Sequence, residues 1–233
     1  MSLLFAPHPQ LQARVDVIGR AKAPVLVVDQ LVADPDALVA EAELTFSRGR
    51  RDRASFPGIV TAGDQTFARS MVGHLMPMLC KVFGVSGRVQ TGGFDFQLMT
   101  SPPDTLSPRQ TRPHFDVTDL RVVASVLFLC RPPYLGTAFY RHNATGFEVI
   151  SPGRAIAYEA IQTELDERHS PRGYMNGDTP DFTEIARYEV AYNRMILFSA
   201  ASLHSGLAAA DQGLSADPRE GRLTANLFLK FAE

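Results

Sequence analysis

Apolar residues in the first part of the chain recur with the period of a helix. Between Gln65 and Val82 they are spaced by four along one face, formed by Phe67, Met71, Leu75 and Leu79. This spacing predicts a helix that is buried on one side. Gly84 lies where a C-cap is expected, and Pro77 is expected to kink or divide the helix.

A strand and another helix are predicted before it. The short run from Pro24 to Asp29 is almost entirely apolar, which is typical of a buried strand. Asp34 is then a favoured N-cap and Pro35 fits the first helical position. We therefore expect a helix from Asp34-Pro35 to about Leu44.

From Arg88 onward the pattern becomes that of β-strands. Phe94, Phe96 and Leu98 alternate with more polar positions, as in a half-buried strand. The run Val122–Leu129 is nearly all apolar, which predicts a central strand covered on both faces. Further strands are expected at Thr137–Tyr140, Phe147–Ile150, Ala155–Tyr158, Tyr188–Ala191, Met195–Phe198 and Leu223–Phe231. Their number suits two packed antiparallel sheets.

A polar, turn-rich segment between Glu159 and Glu189 is predicted to interrupt these strands. Long loops in compact domains are uncommon unless they bind or cover something. One interpretation is a lid over a site, and the other is a disordered surface excursion. His169, inside this segment, and His142, before it, are interpreted as solvated histidines, and residues 207–221 are interpreted as an exposed loop.

The candidate chemistry begins at His114-Phe115-Asp116. Side chains alternate in an extended segment, so His114 and Asp116 can reach one ion while Phe115 points away. His204 follows the apolar run that ends at Phe198, and it could supply a third ligand. Two histidines and a carboxylate form the facial arrangement of non-heme Fe(II) oxygenases. The alternative is that a pattern as short as H-x-D arose by chance.

In their order, these elements resemble the Fe(II)/2-oxoglutarate-dependent dioxygenases, within them the prolyl-hydroxylase-like branch. The resemblance covers about residues 88–233. It rests on His114-Phe115-Asp116, Val122 to Leu129, Gly136 to Tyr140, Asn193 to Phe198, His204-Ser205-Gly206 and Arg222-Leu223-Thr224. It implies a mainly β fold with helices (α+β), whose double-stranded β-helix (jelly-roll, cupin-like) core carries the N-terminal helices on its larger sheet.

The same resemblance implies roles for single residues. His114, Asp116 and His204 would be the catalytic metal ligands for Fe(II), and Arg222 with Thr224 would bind the distal carboxylate of 2-oxoglutarate. The guanidinium fork suits this role because it pairs with a carboxylate through two parallel hydrogen bonds. The implied reaction consumes O2 and 2-oxoglutarate, releases succinate and CO2, and most often hydroxylates a C–H bond.

Two other classes of function remain open. A cupin-like metal protein could bind a ligand or perform a non-oxidative reaction, with Arg222 anchoring an acid. An interaction module could keep the same barrel with a vestigial site, although none of the three ligand positions is replaced. The expected substrate of the oxygenase is a small molecule or a protein side chain, and neither its identity nor the oligomeric state follows from the sequence.

Composition adds bounds to this picture. The 233 residues, 45% of them hydrophobic, suit a single domain, with residues 1–87 bracing a core at 88–233 that carries the insertion at about 159–189. A net charge of -2 gives the chain no overall positive charge that would attract nucleic acid, which is not expected as a partner. Four arginines, at positions 48, 50, 51 and 53, form either a solvated run or a site that steers an anionic substrate.

The cysteines and the first residues of the chain indicate the cellular compartment that we expect. Cys80 and Cys130 suggest neither a disulfide framework nor a zinc site. The first residues lack the features of a secretory signal, and no apolar stretch approaches the ~20 residues that span a bilayer. The expectation is a cytoplasmic protein that does not act at a membrane.

Overall fold

The computed structural model describes residues 4–52, 55–86, 88–168, 173–209 and 212–232. The helices are α1 (Pro35–Arg48), α2 (Gln65–Phe83) and α3 (Pro152–Arg168). The strands are β1 (Gln12–Ile18), β2 (Ala23–Asp29), β3 (Arg51–Asp52), β4 (Gly58–Ala62), β5 (Val89–Met99), β6 (Val122–Phe128), β7 (Thr137–His142), β8 (Phe182–Tyr188), β9 (Arg194–Ser199), β10 (His204–Gly206) and β11 (Arg222–Phe231). Short 3-10 turns lie at Pro103–Thr105 and Pro108–Thr111.

The strands form two antiparallel sheets. The larger has the order β1-β2-β9-β6-β11-β5-β4-β3, and the smaller has the order β10-β7-β8. Strand β6 pairs with both β9 and β11, and nearly all of its residues are buried. The nearly continuous apolar run at 122–129 is therefore a central strand, as predicted.

Helices α1 and α2 pack on the outer face of the large sheet. One face of β11, formed by Leu223, Ala225, Leu227 and Leu229, joins the same buried cluster as Met71 and Leu75 of α2 and Leu38 of α1. The opposite face of β11 carries Arg222, Thr224 and Asn226, which line the space between the sheets. This alternation puts hydrophobic packing on one side of the strand and polar chemistry on the other.

The predicted helices agree with the structure in position. Asp34 caps α1 by accepting a hydrogen bond from the Ala37 amide. α1 continues to Arg48, four residues beyond the predicted end. α2 is not divided at Pro77, and it ends at Gly84, which takes a left-handed conformation with φ 62°. No helix in the described ranges is long and apolar enough to cross a membrane.

The prediction of a strand at Ala155–Tyr158 is wrong, because this segment lies in α3. Pro152, at the first position of the helix, favours a helical start, and the apolar run after it is too short to distinguish a strand from a buried helix segment. α3 covers the outer face of the small sheet through Tyr158, which packs with Ile150 and Leu203.

Two other strand predictions are also corrected. Phe147–Ile150 is not a strand, since only Val149 forms an isolated bridge, to Ser202. The strand expected at Tyr188–Ala191 lies earlier, as β8, and pairs with β7. The segment 159–189 is therefore not one loop, because it holds the end of α3 and all of β8.

The structure tests the prediction of a solvated histidine for His142 but not for His169. His142 is not a surface residue, because its side chain is fully buried between Tyr158 and Phe182. His169 lies outside the described residues. The expectation that residues 207–221 are an exposed loop holds only in part, since Leu207 and Ala208 are buried.

Candidate metal centre

The three predicted ligands come together because the segment at 114–116 lies against β10. The His114 amide donates to the His204 carbonyl at 2.9 Å, and the His204 amide donates to the His114 carbonyl at 2.8 Å. The Asp116 amide donates to the Ala200 carbonyl at 2.8 Å. These backbone bonds hold the extended segment so that His114 and Asp116 project to one side.

The side chains of these residues converge on one point. Candidate ligand atoms of His114, Asp116 and His204 all lie within 4.8 Å of one another. The Nε2 atoms of His114 and His204 are each 3.7 Å from an Asp116 carboxylate oxygen. Two ligands bound to one ion at about 2.1 Å lie at most ~4.2 Å apart, so each of these two histidine–carboxylate pairs is close enough to share an ion.

A hydrogen bond and an aromatic contact fix the orientation of the His204 ring. Its Nδ1 donates to the Ser202 carbonyl at 2.9 Å, which leaves the lone pair of a neutral ring on Nε2, the atom that faces Asp116. Phe198 packs edge-on against the ring at 4.7 Å. The side chain is only 8% exposed, so both its orientation and its tautomer are fixed by the fold.

His114 is the more open of the two rings, with 48% of its side chain exposed. Its pKa is nevertheless lowered to about 4, first by desolvation and then by the neighbouring His204, while Asp116 acts in the opposite direction. A neutral imidazole is the form that binds a metal ion. The His114 ring is therefore in the form that coordinates a cation at neutral pH.

Arg222 is a buried charge that no carboxylate balances within the described ranges. It is 3% exposed, and its Nε and Nη2 donate to the carbonyls of Leu135 at 2.8 Å and Gly136 at 2.6 Å. Burial lowers the pKa of its guanidinium. Burial also raises the pKa of the Cys130 thiol to about 11 and that of the Tyr174 phenol to about 12, so neither neighbour supplies an anion at neutral pH.

A buried, unpaired guanidinium is costly, and an anionic ligand would offset that cost. Thr224 lies two residues on, on the same face of β11, and is 2% exposed. Gly206 lies beside this arginine, since a Cβ on this glycine would lie 3.5 Å from the Arg222 Nη2 and 3.3 Å from the Met99 methyl carbon.

The five predicted site residues line one cavity of about 650 Å³. This volume lies within the usual range of small-molecule sites. Phe115 borders the cavity too, although its ring packs on Tyr158 at 5.8 Å. Among the other lining residues are Phe56, Pro57, Gln97, Ser107, Arg109, Asn226 and Phe228.

Gln97 lies on the more polar face of the alternating strand around Phe94, opposite Thr224 in the register of β5 and β11, so the alternation already indicated its side of the sheet. Other parts of the cavity carry no signal in the sequence. Arg109 precedes His114 by five residues, but nothing in its neighbourhood distinguishes it from a surface arginine. The carbonyls of Leu135 and Gly136 belong to the backbone, which no side-chain pattern reveals.

The fold is similar to that of two enzymes of nogalamycin biosynthesis. The non-heme α-ketoglutarate-dependent epimerase SnoN is 14% identical, with 89% of this chain and 78% of that chain covered and a TM-score of 0.52. The non-heme α-ketoglutarate-dependent carbocyclase SnoK is 12% identical, with coverages of 90% and 80% and a TM-score of 0.52. At these identities the likeness concerns the fold.

Among curated proteins, none matches the sequence significantly. One family does match over nearly the whole chain, from residue 9 to residue 229, and it is described as a family of unknown function, DUF6445. The mixed α/β chain with its two antiparallel sheets and its His-Asp-His cluster thus belongs to the DUF6445 family.

Proposed function

We propose that this protein is an Fe(II)- and 2-oxoglutarate-dependent oxygenase that hydroxylates a small molecule or a protein side chain and releases succinate and CO2. One observation carries the proposal. A single cavity holds a cluster of two histidines and an aspartate together with Arg222, a buried guanidinium without a carboxylate partner in the described ranges. The cluster suits a divalent metal, and the guanidinium suits the free carboxylate of a dicarboxylic acid.

The strand order supports a double-stranded β-helix. Along the chain, β5 lies in the large sheet, the segment at 114–116 lies beside the small sheet, β6 lies in the large sheet and β7 with β8 in the small one. β9, β10 and β11 then alternate again between large, small and large. Repeated crossing between two packed antiparallel sheets is the pattern expected of a jelly roll.

His114, Asp116 and His204 would hold the iron on one face and leave its other positions open. When bound, the iron would activate O2, with 2-oxoglutarate as the electron donor, for the oxidation of an unactivated C–H bond. The protein contributes the ligand geometry, because the Ser202 carbonyl fixes the His204 ring. Phe198, packed against that ring, keeps water from one side of the centre.

Arg222 and Thr224 would orient 2-oxoglutarate. The guanidinium keeps its charge in the cavity, and the Thr224 hydroxyl, on the same strand face, can donate to the same carboxylate. The carbonyls of Leu135 and Gly136 hold the arginine by two of its nitrogens. Because the arginine is held before the ligand arrives, less conformational entropy is lost on binding.

The experiment uses anaerobic protein with Fe(II) and 2-oxoglutarate. We expect the weak visible absorption of the iron chelate, and succinate after oxygen is admitted. His114→Ala should abolish both signals, and Arg222→Ala should weaken 2-oxoglutarate binding about a hundred-fold. Arg69→Ala is the matched control, because Arg69 is an exposed arginine of α2, on the far side of the large sheet.

The result is informative in either direction. A chelate band that persists unchanged in Arg222→Ala would contradict the assignment of the arginine. Metal binding without release of succinate from 2-oxoglutarate, whichever substrate is added, would favour a non-oxidative metal protein. The two similar enzymes are named an epimerase and a carbocyclase, so product analysis should accompany the succinate assay and test for hydroxylation itself.

A further inference from the structure

The proposed cofactors leave one charge of the cavity unused. In the described part of the chain, the charged or titratable residues lining the cavity are Arg109, His114, Asp116, His204 and Arg222. With neutral histidines, the iron and Arg222 carry three positive charges, and Asp116 and 2-oxoglutarate carry three negative ones. The loaded centre is then formally neutral, and Arg109 remains as a cation without a role in cofactor binding.

Arg109 lines the cavity and is also exposed to solvent. It belongs to the 3-10 turn Pro108–Thr111, which precedes the metal-binding segment. Its side chain is 74% exposed, and its Nη2 lies 3.8 Å from the Glu159 carboxylate, which is 45% exposed. Exposed pairs of this kind contribute little free energy, so a bound anion that accepts a direct hydrogen bond can replace Glu159.

A second arginine adds positive charge on the same side of the large sheet. Arg51 pairs with Val60, and both Val60 and Thr224 pair with Gln97, so the four side chains project to the same face. Arg51 is 70% exposed and lies 3.6 Å from Asp95. Ser55 to Pro57, a few residues further along the chain, line the cavity, so a second arginine lies near that rim.

The rest of the wall is largely apolar. Phe56, Pro57, Val117 and Phe228 line the cavity together with Phe198. 2-Oxoglutarate and one metal ion are small compared with a volume of about 650 Å³, so space remains for a second molecule. The walls suit an apolar body, and the arginine at the turn suits an acidic end.

We infer that the substrate carries an anionic group, a carboxylate or a phosphate ester, on an apolar body, and that Arg109 binds this group. This inference rests on the proposed function, since it assigns to the substrate the space and charge that the cofactors leave. Glu159 competes with the substrate for the guanidinium. Removing Arg109 and removing Glu159 should therefore change substrate affinity in opposite directions.

The experiment measures binding rather than turnover. Protein saturated with Fe(II) and 2-oxoglutarate under anaerobic conditions is titrated with phenylpropanoate, phenylpropyl phosphate and the neutral phenylpropanamide, and dissociation constants are read by calorimetry or NMR. We expect at least one acid to bind roughly three- to ten-fold more tightly than the amide. The tighter acid identifies the anionic group. The chelate absorption verifies that each variant is loaded.

Three variants test whether Arg109 itself causes the preference for an acid. Arg109→Gln should remove the preference for the acid, and Glu159→Gln should increase it. Arg69→Gln, which changes an exposed arginine away from the cavity, should behave as the wild type. Equal binding of acid and amide, no binding of either acid, or a preference that survives in Arg109→Gln would each overturn the inference.

Failure of the proposed function would appear differently. In that case 2-oxoglutarate would not bind, and phenylpropanoate would be free to occupy Arg222, so its binding would be lost in Arg222→Ala and kept in Arg109→Gln. The wild-type titration with 2-oxoglutarate, made first, separates this outcome from a substrate that lacks an anionic group.

Discussion

At the scale of single residues, Gly206 shows how closely strand β10 approaches Arg222. A Cβ at this position would lie at ordinary contact distance from the Arg222 guanidinium and tightly against the Met99 methyl. Met99 is a flexible side chain and can move, whereas Arg222 is held by two backbone carbonyls. The size of the side chain at position 206 should therefore determine whether the Arg222 guanidinium can keep its position.

We expect Gly206→Ala to have a small effect and Gly206→Val to raise the dissociation constant of 2-oxoglutarate by about ten-fold, or ~1.4 kcal/mol. The branched side chain would displace the guanidinium from its carbonyl acceptors. Metal binding should be kept in both variants, because His204 is not moved. Wild-type affinity for 2-oxoglutarate in Gly206→Val would show that the ligand does not depend on Arg222.

His142 is a second residue whose environment has a measurable consequence. Burial lowers its pKa below the usual 6.5, although Asp181 acts in the opposite direction. Its Nδ1 lies 2.9 Å from the Thr145 hydroxyl, and its ring is fully buried. The folded protein therefore keeps this ring neutral at pH values where the unfolded chain already binds a proton.

Because the pKa of His142 is lower in the folded than in the unfolded protein, we expect the stability of the metal-free protein to fall as the pH drops below about 6.5. The unfolded state binds more protons there, so the free energy of unfolding decreases. In His142→Gln the decrease should be smaller, with a remainder from His114, and it is measured as the urea midpoint at neutral and acidic pH. His74→Gln, at an exposed position of α2, is the control, and an unchanged pH dependence in His142→Gln would contradict the assignment.

At the scale of elements, the close approach of β7 to β8 depends on Gly136, just before β7. A Cβ there would lie 1.7 Å from the Tyr188 carbonyl oxygen, a backbone atom that cannot move away without breaking the strand pairing. The carbonyl of the same glycine accepts a hydrogen bond from Arg222. Gly136 thus contacts both the small sheet and Arg222.

Gly136→Ala should destabilise the protein by about 1–3 kcal/mol or more, because overpacking against backbone is not relieved by a rotamer change. The measurement is chemical denaturation of the variant and the wild type. Gly153→Ala is the matched control, since Gly153 lies in α3 with no atom within 4 Å of its added Cβ. The control should be neutral or slightly stabilising. Equal stability of the two variants would argue against the close approach.

At the scale of the whole molecule, residues before and after position 87 build one sheet. Strands β1 to β4 extend the large sheet on both sides, and α1 with α2 covers its outer face. We infer that the two parts fold as one unit, because neither can bury the apolar side chains of β5 and β11 without the other. Ligands that bind between the sheets should then stabilise the entire fold.

We expect iron and 2-oxoglutarate, each at about 100 times its dissociation constant, to raise the melting temperature by roughly 10–20 °C. The reason is that both ligands bind only the folded cavity. Thermal unfolding under anaerobic conditions measures the shift, and Asp116→Asn should lose most of it. A full shift in Asp116→Asn would place the metal elsewhere.

Much of this arrangement could be predicted from the sequence, and the successes share a cause. The helix of residues 65–82, the alternation around Phe94 and the apolar strand at 122–129 depend on local periodicity, which a fold must satisfy wherever the segment lies. The errors share a cause as well. Ala155–Tyr158 is short, so its apolar residues fit a strand or a helix, and packing of Tyr158 beneath the small sheet selects the helix.

The sequence by itself determined which residues could bind a metal and an acid: two histidines, an aspartate, an arginine and a threonine at strand-like spacings. Their types and alternation are local properties. Only the tertiary structure decided that these five residues share one cavity, that Arg222 lacks a carboxylate partner in the described ranges, and that Arg109 borders the same space. Those facts depend on backbone pairing between segments far apart in sequence, such as His114 with His204, and no local pattern encodes such pairing.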